Sequence, residues 1–142
     1  MKREVRVLHR PAGFALLALA GAFAAEFAPA DSEQARTPTS IARQEAESNV
    51  RTPAGRAYEG VVIGRAEEWL RPALERCVKE APAEERISFD AFVRVGANGQ
   101  AEEAVFGPET AVARCVAAEF RSAKYPTPPQ PSWWVRVEVR LK

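Results

Sequence analysis

The chain has 142 residues, which is room for one domain. Its 20 basic and 19 acidic side chains leave a formal net charge of +1, a balance that excludes a nucleic-acid binder working through a basic face. The single histidine, His9, lies in a segment expected to be removed, so the mature chain lacks the commonest general base and metal ligand.

Lys2, Arg3, Arg6 and Arg10 precede an uncharged run of Ala, Leu, Phe and Gly over residues 12–25, with Ala22-Phe23-Ala24 as a small-residue cleavage site. This is the pattern of a secretory signal peptide over residues 1–24. Pro11 and Glu26 bracket the run, which is shorter than the roughly 20 apolar residues of a spanning helix. Cleavage after Ala24 leaves 16 basic and 18 acidic groups, a weakly acidic exported chain. Periplasmic or secreted localisation is the expectation. The alternative is retention of residues 12–28 as a membrane anchor, the one case in which the protein would engage a membrane.

Residues 25–56 turn to Ala, Ser, Thr, Pro, Glu, Gln and Arg, with Ile41 and Val50 the only aliphatics larger than alanine. Such composition buries too little apolar surface to offset the entropy of ordering it, and it is read as a flexible linker with at most a frayed helix over 41–48. The ordered domain is placed at 57–142.

Leu70, Ala73, Leu74, Cys77 and Val78 recur at helical spacing, with Trp69 at the edge of the stripe. Pro72 is the flaw in this helix, and two helical pieces meeting at Pro72 are expected. Ile87, Phe89, Ala91, Val93 and Val95 then alternate with Ser88, Asp90, Phe92 and Arg94, the pattern of a strand. Asn98-Gly99 is a hairpin turn signal; it sets Arg94 opposite Glu103 and Phe92 opposite Val105, with Ala104 and Phe106 on the core face. Gly107-Pro108 is expected to open a second helix, whose buried stripe is Val112, Cys115, Val116 and Phe120. A last strand over 132–141 points Trp133, Val135, Val137, Val139 and Leu141 inward, and Trp134, Arg136, Glu138, Arg140 and Lys142 outward. The fold class is therefore α+β: helix, hairpin, helix, strand, with a three-stranded antiparallel sheet and two helices on one face.

This ordered set resembles the TonB carboxy-terminal domain, and more closely the AgmX/PglI-type carboxy-terminal domain of gliding-motility proteins. The carriers are Leu74-x-x-Cys77, Phe89-x-x-Phe92-Val93-x-Val95, Gly99, Val112-x-x-Cys115-Val116, Tyr125-Pro126 and Val135-x-Val137-x-Val139, over about residues 69–141. The long Pro-rich spacer of TonB has no counterpart here. The resemblance implies a final strand at an open sheet edge, to which an extended partner peptide can add by main-chain hydrogen bonding.

Cys77 and Cys115 are the only cysteines. In an exported chain they are expected to pair across the two helical stripes; buried thiols or a reactive thiol are the alternatives, and the C-x-x-C spacing of a redox site is absent. No catalytic residue, metal ligand or cofactor motif stands out. Glu67-Glu68, Glu84-Glu85 and Glu102-Glu103 are read as solvated, because adjacent side chains diverge. Asp90 is read the same way, too far along its strand from Arg94 to pair directly.

The outward row is the candidate contact surface. Phe92 and Trp134 are aromatics on the face away from the helices, and Arg136, Val137 and Arg140 complete a partner-binding set on the last strand. The expectation is a non-enzymatic, exported interaction module that binds an envelope protein or peptide segment by strand addition. The alternative is a membrane-anchored component of an envelope energy-transduction, transport or gliding-motility complex.

Overall fold

The computed structural model describes residues 37–142. The signal segment expected over 1–24 and the first part of the expected linker lie outside these residues. The elements in chain order are helix α1 (Pro38–Asn49), helix α2 (Pro53–Glu80), a short 3-10 turn (Ala83–Glu85), strand β1 (Phe89–Val95), strand β2 (Ala101–Gly107), helix α3 (Ala111–Ser122) and strand β3 (Trp133–Val139). The strands form one antiparallel sheet in the order β2-β1-β3. The expected class, α+β on a three-stranded antiparallel sheet, is the one observed.

One face of the sheet carries the main core. Phe89, Ala91, Val93, Val95, Val135, Val137 and Val139 meet Val62, Leu70, Ala73 and Cys77 of α2, and Val112, Val116 and Phe120 of α3. The aromatic part is a chain of edge-to-face contacts from Trp69 through Phe120 to Phe106. Cys77 and Cys115 form a disulfide with Cα atoms 5.7 Å apart, joining α2 to α3 above the sheet.

The hairpin register is the expected one, Phe92 opposite Val105 and Arg94 opposite Glu103. Beyond it Val95 pairs with Ala101, so Glu102 is the extra residue of a bulge. Gly99 turns the hairpin at φ 74°, a conformation glycine adopts without steric cost. A Cβ there would also collide with the Tyr125 carbonyl, at the place where the Tyr125 amide donates to the Gly99 carbonyl.

Several expectations are corrected. The reading of 25–56 as a flexible linker fails over its described part. Thr37 and Thr52 cap α1 and α2 through side-chain oxygens that accept from the Ser40 and Gly55 amides, and Pro38 and Pro53 occupy the first turns. Helix α1 buries only alanines, Ala42 and Ala46, but it lays them on large sheet residues, Phe92, Val105 and Trp134. The apolar surface that orders it belongs to the sheet. At Gly55 a side chain would overlap the Asn49 carbonyl, so the end of α1 seats directly on the start of α2.

The break expected at Pro72 is absent, since α2 runs through it. Pro72 lies on the exposed side, where water can satisfy the carbonyl that the missing N–H leaves unpaired. Helix α3 starts after its cap Thr110 rather than at Pro108. Ile87, expected on the core face, lies before β1 and is half exposed.

Candidate functional site

Strand β3 is an edge of the sheet, paired with β1 alone over seven residues, Phe89 opposite Val139 to Val95 opposite Trp133, without a register shift. In an antiparallel strand the N–H and C=O of one residue point to the same side, and successive residues alternate. Three contacts establish which residues point outward. The Leu141 amide donates to Ser88 Oγ on the β1 side (2.9 Å). The Gly96 amide donates to the Gln100 carbonyl across the hairpin, so even-numbered residues of β1 face β2. The Asn49 side-chain amide donates to the Trp134 carbonyl (2.9 Å). Odd-numbered residues of β3 therefore hold β1, and Trp134, Arg136 and Glu138 direct their main-chain groups to the open edge.

The other edge, β2, is interrupted. The Glu102 bulge breaks its pairing rhythm, and Gln100, just before its first residue, is bridged to Lys124. Bulges and covering segments are common ways to close an edge to further strands. Of the two edges, β3 is the regular one.

Each residue expected in the partner-binding set has a definite place. Phe92 is fully buried beneath α1, with the Arg43 guanidinium 5.1 Å from its ring centre; it is core, and its assignment to a contact surface is corrected. Val137 is buried on the inner face and its main chain faces β1. A proline there removes a β1–β3 hydrogen bond, so it tests folding rather than edge binding. Trp134 is half-buried, packed against α1 with the Arg94 guanidinium 5.7 Å over its ring.

Arg136 is held by Asp90, whose Oδ2 accepts from Nη2 at 2.9 Å. Asp90 is 7% exposed and also faces Arg43 at 3.5 Å. Its reading as a solvated carboxylate is therefore corrected: it is the buried tie between β1, β3 and α1. Arg140 pairs with Glu138, which also lies 3.7 Å from Arg136. The arginines of the edge thus carry partners within the chain.

Glu85 and the Glu102-Glu103 pair likewise have structural work. Glu85 accepts from the Ala111 amide at 2.6 Å and from Arg114 at 3.1 Å, capping the start of α3. Glu102 and Glu103 flank Arg94 at 3.3 Å each. Tyr58 donates to the Pro126 carbonyl (2.9 Å) and Tyr125 to the Phe120 carbonyl (2.7 Å). Burial pushes the Tyr58 phenol up to about 12 and that of Tyr125 higher still, with Tyr58 adding to the Tyr125 shift. Among the described residues no three His, Cys, Asp or Glu side chains converge as a metal group, and no helix is long and apolar enough to cross a membrane.

Comparison of the chain with family models, with curated proteins and with solved structures gives no match.

Proposed function

We propose that the protein is an exported, non-enzymatic interaction module that takes an extended segment of an envelope protein as a fourth strand beside β3. The observation that carries this reading is the regular edge of β3, on which Arg136 and Glu138 direct N–H and C=O groups away from the sheet. Main-chain pairing supplies affinity in strand addition, and alternate side chains supply selectivity. The resemblance to TonB and AgmX/PglI carboxy-terminal domains supports the same edge, and the Cys77–Cys115 disulfide suits an oxidising compartment.

The anchored alternative keeps residues 12–28 in a membrane. It would then leave eight residues before Thr37, a reach of at most about 30 Å, and would hold the domain against the bilayer. Intact mass of the membrane and soluble fractions separates the two: loss of residues 1–24 supports the exported module, and a full-length mass in membranes supports the anchor.

The test of strand addition is selection of displayed extended peptides on the folded protein. Selected peptides should protect the Arg136 and Glu138 amides from hydrogen exchange and bind at least about tenfold more weakly to Glu138→Pro, which removes an outward N–H. Equal binding to a folded Glu138→Pro variant refutes the reading.

A further inference from the structure

We infer that Asn49 is a built-in stop on the docking edge: its side-chain amide takes the place of a partner's main-chain N–H at Trp134, so that an added strand pairs from Arg136 onward and no earlier. This rests on the reading of β3 as a docking edge and assigns the residue that sets where its occupant begins.

Trp134 is the first residue of β3 whose main chain faces outward. Its N–H and C=O point the same way, and an added strand would bond to both. Asn49 Nδ2 donates to that carbonyl at 2.9 Å, the length of a ladder hydrogen bond. The position of the incoming N–H is therefore filled by a side chain of the same molecule. The chain offers no earlier outward residue, because it leaves the strand direction at Ser132, where φ is 63°.

The stop is rigid because Asn49 is held through its own carbonyl. That oxygen accepts from Thr52 Oγ1 at 3.0 Å and from the Thr52 amide at 3.3 Å, and a side chain at Gly55 would overlap it. From there α1 crosses the sheet to β2, where Thr39 lies so close that a Cβ at Gly107 would stand 3.0 Å from its Cγ2. Midway, Arg43 faces Asp90 at 3.5 Å, and the same carboxylate binds Arg136 at 2.9 Å. The helix is thus fixed at both ends and in the middle. It closes the carbonyl that precedes Arg136 and, through Asp90, orients the side chain of Arg136 itself, the first open residue.

The fold gains little from this bond. Helix α1 buries Ala42 and Ala46 on Phe92, Val105 and Trp134, whereas Asn49 is its last residue and reaches a group on the sheet edge. Water would satisfy an open edge carbonyl almost as well. What the bond changes is the length of edge offered to another strand, and proteins commonly cover or shorten such edges.

The experiment compares lengths of one peptide on the intact protein, Asn49→Ala and Asn49→Ser. The peptide is an extended one selected on the folded protein, trimmed to its shortest binding form, then lengthened by Thr-Thr at each end in turn. One of the two extensions runs beside Trp134. Calorimetry reads affinity, and hydrogen exchange reads the Trp134 amide. On the intact protein neither extension should change affinity by more than about twofold, and the Trp134 amide should exchange as fast with peptide as without. On both variants one extension should tighten binding about fivefold or more, the worth of an added hydrogen bond, and should protect the Trp134 amide. Lengths are compared on the same variant, so any loosening of α1 cancels, and a purely structural role for Asn49 gives no length dependence. That result overturns the inference and leaves strand addition standing, as does protection of the Trp134 amide by the long peptide on the intact protein. Failure of every peptide to bind all three proteins removes the edge reading, and the stop with it.

Discussion

Opening the Cys77–Cys115 bond should destabilise the domain by about 4 kcal/mol. The two residues are 38 apart in sequence and meet with Cα atoms 5.7 Å apart. In the chain-entropy account, a loop of that length restricts the unfolded chain by about 13 cal/mol/K, which is about 4 kcal/mol at 25 °C. For a domain of this size such a change lowers the melting temperature by roughly 15 °C. The perturbation is applied twice: by reduction, which keeps both sulfurs in the core, and by Cys77→Ala with Cys115→Ala, which removes them. Cys77 is fully buried, so the alanine pair should lose somewhat more than the reduced protein. Urea and thermal melts read both, and intact mass confirms the gain of two hydrogens on reduction. A melting temperature that moves by less than about 3 °C on verified reduction would refute the argument that this crosslink restrains the unfolded chain.

Four further outcomes follow from the packing. Ala46→Leu should cost about 1–3 kcal/mol in a urea melt, because Ala46 is buried against Phe92 and has no room to grow; a loose linker would show no change. Asp90→Asn should cost about 1–2 kcal/mol, less than a wholly buried ion pair, because Arg136 keeps 30% of its side-chain surface in water; the same variant should speed hydrogen exchange in α1. Thr110→Ala should cost about 1 kcal/mol through loss of the bond its hydroxyl accepts from the Ala113 amide, read by thermal melting. Tyr58 and Tyr125 hold their protons more tightly in the fold than when exposed, so their contribution to stability is complete below pH 10. It is lost as pH rises through about 12 for Tyr58 and beyond that for Tyr125. Spectrophotometric titration should show little tyrosinate near pH 10, and ordinary titration of both phenols there would contradict their burial.

The legible parts of the fold were those in which the chain interacts with itself nearby. Period-two alternation from Phe89 to Val95 and from Trp133 to Val139, the Asn98-Gly99 turn and the stripe of α3 each appear as a local pattern. The α1 helix carried a signal of another kind. Thr37-Pro38 and Thr52-Pro53 are both cap and first-turn pairs, a repeated helix start within a segment whose composition suggests a linker. Composition misleads there because Ala42 and Ala46 supply little apolar area of their own, and the larger share comes from Phe92 and Trp134, more than forty residues away. The same contact is why Phe92, an outward aromatic in a two-layer reading, is core in three layers.

By itself the sequence determined the class of fold, the hairpin register and the positions of both cysteines on apolar stripes, since each depends on neighbours within a few residues. The tertiary structure alone decided that α1 covers the second face, that Asp90 is the tie between β1, β3 and α1, and that β3 is the regular edge. Those features depend on which surfaces meet across long loops. Asp90 and Arg136 are 46 residues apart and Asn49 and Trp134 are 85, and no periodicity in either segment specifies its distant partner.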